Sequence, residues 1–213
     1  MCNLYSITRG QEAIRRAFRV MRDRTGNLPS LPAVYPGAMA PVVHTARDGV
    51  RELSMMRWGF PPPPNFGKAP VTNVRNVKSP YWRGWLKEEW RCLVPANSFC
   101  EWTDRRPKIP HWFALGESRK LFAFAGIWRP WTGERKGEPG EHRLFAFLTT
   151  EPNETVRPIH SKAMPVLLTG EEEWNIWLSG SQDEAMALQR PLPADALSIV
   201  AAGEKSDRAP VVE

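Results

Sequence analysis

The sequence Arg91-Cys-Leu-Val-Pro-Ala-Asn-Ser-Phe-Cys-Glu-Trp102 contains two short apolar runs separated by residues that favour turns. Runs of this kind predict β-strands at residues 91–94 and 99–102. Three further runs show the same pattern, at residues 112–115, 121–128 and 144–149. Several short strands in succession predict curved, mainly antiparallel sheets that form a barrel-like core.

The segment before this strand-rich centre predicts one more hairpin. Residues 42–43 and 53–58 are apolar or alternating, and Asp48-Gly49 between them favours a tight turn. After the centre, the polar residues 133–142 predict a mobile hairpin tip.

Helices are predicted around these strands. Residues 81–90 follow a Ser-Pro pair that favours a helix start, and three capping boxes mark other starts, at Thr8 with Gln11, Thr169 with Glu172, and Ser181 with Glu184. A last strand is expected at residues 197–200. The chain is therefore predicted to be an α+β protein with one domain at residues 1–203 and a frayed polar tail at residues 204–213.

The composition limits the classes of protein to which the chain can belong. Its 213 residues include 29 Lys and Arg against 23 Asp and Glu, a formal net charge of +6. This balance suits a polyanion such as nucleic acid, although solvated surface charges explain it equally well. Three cysteines without paired spacing predict neither a disulfide framework nor a zinc site. Because no signal peptide or membrane span is present, a cytoplasmic protein without metal or cofactor is expected.

Cys2 is the first candidate for chemistry. Initiator Met is usually removed when a small residue follows it, and removal of Met1 would give Cys2 a free amine beside its thiol. Unperturbed pKa values of about 8 for the amine and about 8.5 for the thiol make both groups partly nucleophilic near neutral pH. Such an aminothiol reacts with an aldehyde to a Schiff base and then to a thiazolidine ring. The alternative is an incidental Cys in a frayed terminus.

Three further positions combine polar chemistry with apolar surroundings. His160 precedes an apolar run and is suited to proton transfer, or is simply a loop His bonded to backbone. Glu101 lies in a predicted strand on the face opposite its neighbours, so its carboxylate either faces solvent or is held for a purpose. Asn73 and Arg75 share one face of an extended segment, which suits binding of a carbonyl and a phosphate, although such an Asn often stabilises a turn.

The order of these residues resembles the SRAP family, named for SOS-response-associated peptidases. The motifs that carry the resemblance are Met1-Cys2, Asn73-x-Arg75, Arg-Cys-Leu-Val-Pro-Ala at 91–96 followed by Glu101-Trp102, Leu-Thr-Thr-Glu-Pro at 148–152, and Ile159-His160 before Met164-Pro165. The similarity extends from residue 2 to about residue 200. It implies the SRAP-like fold, in which curved antiparallel sheets form a barrel-like core.

The resemblance implies a covalent crosslink to abasic sites in single-stranded DNA, which protects the lesion. Cys2 is then the nucleophile that forms the thiazolidine, and Asn73 holds this residue or its adduct. Glu101 orients the terminal amine, and His160 exchanges the protons that open the sugar ring. The family also cleaves DNA by β-elimination, a lyase activity that the thiazolidine suppresses, and removes Met1 by self-processing.

The same resemblance implies residues that bind DNA. Arg75 and Lys162 correspond to phosphate contacts, and Trp58 and Trp102 to aromatic positions that line the DNA groove. Three departures affect these contacts. Leu4 stands where an Arg is common, Val77 where a Glu is common, and the segment from His160 to Met-Pro is one residue longer, with Lys162 in place of Arg.

Two other functions remain open from the sequence. A peptidase with an N-terminal nucleophile would use Cys2 against a peptide carbonyl, with Asn73 near the oxyanion. A non-covalent single-strand binder would use the basic surface alone. In each case a monomer is the simplest expectation, associated with the nucleoid when bound to DNA, and Cys92 and Cys100 are assigned to packing.

Overall fold

The structure, a computed structural model, describes residues 2–63, 67, 69–135 and 137–207. The strands are β1 (Tyr5–Ile7), β2 (Arg22–Asp23), β3 (Leu31–Val34), β4 (Met39–Thr45), β5 (Arg51–Trp58), β6 (Asn73–Val74), β7 (Arg91–Ala96), β8 (Ser98–Trp102), β9 (Pro110–Ala114), β10 (Phe122–Arg135), β11 (Glu138–Thr150), β12 (Met164–Pro165), β13 (Leu167–Leu168) and β14 (Ser198–Ala202). The α-helices of these residues are α1 (Gln11–Ala17), α2 (Glu171–Ser179) and α3 (Gln182–Ala187), and short 3-10 helices occur at Pro80–Trp82, Glu88–Trp90 and Ala194–Ala196.

Five strands form a closed barrel. Strand β10 pairs antiparallel with β7 and β11, β7 pairs with β4, and β4 pairs with β5. Parallel pairing of β5 with β11, through Leu144 with Arg57 and Phe145 with Trp58, closes the ring. Closure leaves these five strands without a free edge, and their inward side chains fill a common core. The predicted α+β fold with a barrel-like core is confirmed.

A second, five-stranded sheet lies beside the barrel, in the order β14-β9-β8-β1-β3. The chain passes from the barrel to this sheet within the stretch 91–102, because β7 belongs to the barrel and β8 to the second sheet. At the crossing, Asn97 Oδ1 accepts a hydrogen bond from Thr8 N at 2.6 Å, and Asn97 Nδ2 donates to Thr8 Oγ1 at 3.0 Å. These bonds attach the end of β1 to the crossing and so hold the N-terminal segment against the barrel.

Aromatic side chains dominate the core between the sheets. Phe124 stacks on Phe147 with ring centroids 4.5 Å apart, and Tyr5 from the second sheet packs edge-on against both rings. All three side chains are fully buried. Burial of such rings excludes water from the inner side of β1, the strand that directly follows Cys2 and its neighbours.

Several predicted elements differ in the structure. The first helix begins at Gln11 with Gly10 as its N-cap, because Thr8 is bonded to Asn97 and does not cap. The helix predicted at residues 81–90 is absent, since this part of the described chain forms two 3-10 helices. Their Trp side chains pack on different neighbours, Trp82 on Phe60 and Trp90 on Trp128.

Of the remaining predictions of local structure, some are confirmed and one is wrong. The capping box at Ser181 is confirmed, whereas Thr169 does not cap and instead donates to Glu173 from N and Oγ1. The predicted hairpin around Asp48-Gly49 is confirmed as β4 and β5. The polar residues near 133–142 form regular ladder pairs up to Arg135 with Glu138.

Among the described residues, no helix is long and apolar enough to cross a membrane.

The tail is not frayed at its beginning, which corrects the prediction for residues 204–207. Asp207 is 1% exposed and accepts hydrogen bonds from Ser98 Oγ at 2.5 Å and from Ser6 Oγ at 3.4 Å. Its Oδ2 atom also lies 3.1 Å from Arg119 Nε. The carboxylate therefore connects β1, β8 and the loop after β9, while residues 208–213 lie outside the described part of the chain.

Replacing Asp207 with Ala should lower the free energy of unfolding by about 3 kcal/mol, because it removes the carboxylate that pairs with a partly buried guanidinium and that accepts from two buried hydroxyls, which keep only their mutual hydrogen bond. Urea-induced unfolding measures this loss. Glu204→Ala, at an exposed position of the same tail, is the control and should change the stability by less than about 0.5 kcal/mol. Equal stability of the two variants would contradict the assignment of Asp207 as an anchor.

Candidate active site

Cys2 is fully buried at the junction of the two sheets, which contradicts a frayed terminus. Its thiol lies 3.4 Å from the carbonyl oxygen of Leu4 and 3.9 Å from that of Cys100. Burial, with the nearby Glu101 as a smaller cause, raises the pKa of the Cys2 thiol well above its usual value. The thiol is therefore protonated at neutral pH in this state.

Asn73 connects Cys2 to the barrel wall. Strand β6, which carries Asn73, pairs in parallel with β11 at Phe147. The amide Nδ2 donates to the carbonyl oxygen of Cys2 at 2.9 Å and to Thr72 Oγ1 at 2.8 Å. Because Asn73 is 9% exposed, this bond is shielded from water and holds the second residue of the chain in one orientation.

Glu101 is buried in β8 with 2% exposure. Its Oε1 atom is among the buried polar atoms without a hydrogen-bond partner, and Asn73 Oδ1 is another. Burial raises the pKa of Glu101 from 4.5 to about 8. Such a carboxyl is mostly protonated at neutral pH and can give or take a proton. Unpartnered buried polar atoms are uncommon in proteins, so these two atoms are open to a further partner such as a ligand or an ordered water.

His160 lies beside Glu101, with Nε2 3.9 Å from Glu101 Oε2. Its other ring nitrogen, Nδ1, is 3.1 Å from Asp104 Oδ1. Burial lowers the pKa of His160, and the negative charge of Asp104 opposes this effect. The imidazole thus lies between a carboxyl that burial keeps largely neutral and a carboxylate that is ionised.

Asp104 is a site residue that the sequence interpretation missed. Hydrogen bonds from the Ser161 side chain and backbone, followed by contact with His160, lower the pKa of Asp104 to about 2. Asp104 follows the Glu101-Trp102 motif by two residues, which is the only signal in the sequence. Its partner His160 is 56 positions away, so no local pattern could join them.

The four predicted DNA contacts differ in accessibility. Arg75 is 47% exposed at its side chain and lies 3.5 Å from Glu151, and Lys162 is exposed. Trp102 is partly buried at the end of β8. Trp58, in contrast, is fully buried and donates from Nε1 to Thr72 O at 3.1 Å. The ring stacks on Phe145 and Phe147 in the aromatic core, so it is not exposed as the predicted role in lining a DNA groove would require.

A separate cleft of about 820 Å³ lies away from these residues. Its lining includes Arg24, Glu52, Trp128 and Arg143, and shares no residue with the group around Cys2. Burial raises the pKa of the Glu52 carboxyl, but hydrogen bonds from Ser54 and two arginines outweigh this effect and lower the pKa to about 2. The carboxylate is thus neutralised by its own cationic neighbours, and this cleft carries no comparable set of reactive groups.

Within the described residues no cluster of His, Cys, Asp and Glu could hold a metal ion.

Comparison with known proteins gives one family and several relatives. Residues 1–205 match the model of one protein family, which is described as "SOS response associated peptidase (SRAP)". The abasic site processing protein YoqW of Bacillus subtilis is 34% identical over 155 residues, which is 67% of this chain and 66% of that protein. The abasic site processing protein HMCES of Gallus gallus is 28% identical over 90% of this chain and 70% of its own. The chain thus spans slightly under two thirds of the length of YoqW.

Solved structures show the same fold. A crystal structure of a protein from Bordetella bronchiseptica has a TM-score of 0.74 at 22% identity and covers 95% of this chain and 98% of its own. One from Bacteroides thetaiotaomicron has a TM-score of 0.70 at 22% identity, with 94% of this chain and 90% of its own covered. At this identity the similarity concerns the arrangement of strands and helices.

The buried Glu101 makes a prediction about stability and pH. Since its pKa is raised in the folded protein, the stability that its proton contributes is fully present below pH 4.5 and is lost as the pH rises to about 8. Glu101→Gln keeps the side chain neutral, so it should gain stability over the wild type by several kcal/mol across this interval, at about 1.36 kcal/mol per pKa unit.

Urea-induced unfolding at about pH 5 and about pH 8.5 measures this difference. The control is Glu117→Gln, an exposed carboxyl in the loop after β9, which should follow the wild type at both pH values. If the difference between Glu101→Gln and the wild type does not change with pH, Glu101 is not a carboxyl with a raised pKa.

Proposed function

The chain belongs to the SOS response associated peptidase (SRAP) family, and from this premise we propose that it captures abasic sites in single-stranded DNA through a covalent bond to Cys2. Its relatives YoqW and HMCES are named abasic site processing proteins. The observation that carries the proposal is the hydrogen bond from Asn73 to the Cys2 carbonyl, because it holds this residue next to Glu101 and His160. The reaction requires that Met1 is first removed.

The order of the two bond-forming steps follows from the state of the thiol. Because burial keeps the Cys2 thiol protonated, the freed amine attacks the aldehyde of the opened deoxyribose first. A C–N bond forms and one water leaves, which gives a Schiff base. The sulfur then adds to the same carbon, a C–S bond forms, and the thiol proton ends on the nitrogen. The product is a thiazolidine, and the sum of the steps releases one water.

Glu101 and His160 supply the proton transfers. An abasic sugar exists mainly as a closed hemiacetal, so a proton must leave its hydroxyl and another must reach the ring oxygen before an aldehyde is available. His160 is suited to this exchange because its pKa lies below the usual 6.5, which leaves neutral imidazole at neutral pH. Glu101, with a pKa of about 8, orients the amine and accepts or returns its proton.

The DNA strand is proposed to follow the exposed basic side chains around the Cys2 site. Arg75 extends from the segment that also holds Asn73, and Lys162 lies two residues beyond His160. Trp102, partly exposed at the end of β8, offers an aromatic surface for an unpaired base. Lys162 binds phosphate as a point charge, without the two-pronged geometry of Arg. Contacts of this kind predict binding that weakens with salt.

Two other functions are outcomes of the same experiment. A peptidase with Cys2 as nucleophile would need an accessible thiolate, and the buried thiol with its raised pKa argues against one. A binder without covalent chemistry would not need a reactive Cys2 at all. The wild type is therefore compared with variants of residue 2 by a measurement that detects covalent mass.

Mixing the processed protein with an abasic single-stranded oligonucleotide should give one adduct per protein, of mass equal to the sum of both less one water. Intact mass spectrometry measures it. Cys2→Ser should give no stable adduct, because without sulfur the Schiff base cannot close to the ring, and a variant that retains Met1 should give none either.

Matched controls separate the outcomes of this experiment. Cys92→Ala removes a buried thiol of the barrel and keeps the adduct, and an oligonucleotide whose abasic aldehyde has been reduced gives no adduct. A stable adduct with Cys2→Ser would reject the thiazolidine. Turnover of peptides without an adduct would favour the peptidase, and binding without added mass would favour the non-covalent function.

Arg75→Ala should weaken binding to single-stranded DNA and lower the slope of the logarithm of affinity against the logarithm of salt concentration by about one. The adduct should still form at high protein concentration, because the reactive groups remain. Fluorescence anisotropy across a salt series measures both quantities. Arg47→Ala, at the rim of the separate cleft, removes the same charge and should leave the slope unchanged. Unchanged affinity of Arg75→Ala at low salt would remove Arg75 from the binding surface.

A further inference from the structure

The contacts of Asp104 involve both of its carboxylate oxygens. Oδ2 accepts hydrogen bonds from Ser161 N at 2.8 Å and from Ser161 Oγ at 2.6 Å. Oδ1 faces His160 Nδ1 at 3.1 Å. The backbone of Asp104 also donates to Ile159 O at 3.0 Å. Residues 159–161 are thus attached to Asp104 by consecutive contacts.

We infer that Asp104 is a positioning residue that fixes the ring orientation and tautomer of His160, so that Nε2 is directed to Glu101 and to the reacting sugar. The inference rests on the proposed function for its consequence, and on the contacts of Asp104 for its geometry. Asp104 does not touch the reacting atoms itself.

The tautomer follows from the chemistry of the two nitrogens. An ionised carboxylate only accepts hydrogen bonds, so Nδ1 beside Asp104 must carry a hydrogen. The neutral ring then has its lone pair on Nε2, the atom that faces Glu101 Oε2 at 3.9 Å. Asp104 stays ionised throughout, because its pKa of about 2 is far below that of the imidazole. His160 can therefore accept a proton at Nε2 and return it, while Asp104 stabilises the cation.

The Ser161 contacts explain why this carboxylate has a fixed orientation although its side chain is 36% exposed. Two hydrogen bonds to Oδ2 prevent rotation of the carboxylate plane, and Oδ1 is left directed at the imidazole. An exposed carboxylate without such bonds would sample many rotamers and would orient the ring poorly. Ser161 thus acts through Asp104, and both act through His160.

The charges that face His160 come from three parts of the chain. Glu101 and Asp104 lie on β8 and the segment after it, Lys162 follows on the histidine's own loop, and the amino-terminal charge of the chain also lowers the pKa of His160. Asp104 opposes this lowering of the pKa, both by its negative charge and by its hydrogen bond to the ring. Removal of its charge should therefore lower the pKa of His160, and any limb of the pH profile that reports His160 moves to lower pH.

Asp104→Asn tests the inference. An amide has one acceptor oxygen, so it cannot accept from Ser161 and from Nδ1 in the original arrangement. The single-turnover rate of crosslinking should fall about tenfold or more, since general acid and base catalysis by a positioned group contributes about 10²-fold or more. Nuclear magnetic resonance of the ¹⁵N-labelled imidazole, assigned with His160→Gln, should show a lower pKa and a changed tautomer.

Two controls separate positioning from a structural effect. Asp195→Asn removes the same charge at an exposed site and should match the wild type in rate and in the His160 resonances. Ser161→Ala removes one of the two bonds to Oδ2 and should lower the rate less, without lowering the His160 pKa as Asp104→Asn does. Thermal unfolding shows that each variant is folded.

The outcomes distinguish this inference from the proposed function. If Asp104→Asn matches Asp195→Asn in rate, pH profile and imidazole resonances, the inference is overturned while the crosslink stands. If the wild type forms no adduct, the proposed function fails, and the imidazole resonances alone decide whether Asp104 sets the state of His160: unchanged resonances overturn the inference and altered ones support it.

Discussion

The structure around Cys2 depends on one constraint, which is that residues near the start of the chain are held in place by hydrogen bonds from both sheets. The first residues of most proteins fray because little surface is buried there. Here Asn73 holds the Cys2 carbonyl from the barrel side, and Cys100 N donates to Leu4 O at 2.9 Å from the second sheet. Pairing of β1 with β8 then continues both contacts into a ladder. The terminus therefore has the rigidity of a core strand.

The second sheet serves this constraint as well as the core, to which it contributes Tyr5, Phe99 and Phe113. Its strand β8 places Glu101 beside the terminus, and its far side is secured by Asp207, which returns from the end of the chain to bond Ser6 and Ser98. The carboxylate accepts from both hydroxyls, which also lie 2.7 Å from each other, so all three buried groups have partners. Asp207, the last described residue, thus supports β1, the strand that follows Cys2.

The two carboxyl groups near His160 have opposite states for reasons that lie in their surroundings. Glu101 has few hydrogen-bond donors and is buried, so its pKa rises to about 8, whereas Asp104 accepts three hydrogen bonds near the surface, so its pKa falls to about 2. An imidazole between a proton-holding group and a permanent anion has a defined direction for proton movement. This asymmetry is the electrostatic basis of the proposed chemistry.

The sequence by itself predicted the strand-rich centre and the barrel-like core, because apolar periodicity is a local property of a chain. It predicted the set Cys2, Asn73, Glu101 and His160 through the resemblance of its short motifs to the SRAP family. The tertiary structure decided which side of each strand faces inward. Trp58, which was expected to line a DNA groove, is fully buried in the core. Residues 81–90 were expected to form a helix, and they contain 3-10 helices with packed Trp side chains. The tertiary structure also joined Asp104 to His160 and Asp207 to Ser98, since closure of two sheets brings together residues whose separation along the chain leaves no local trace.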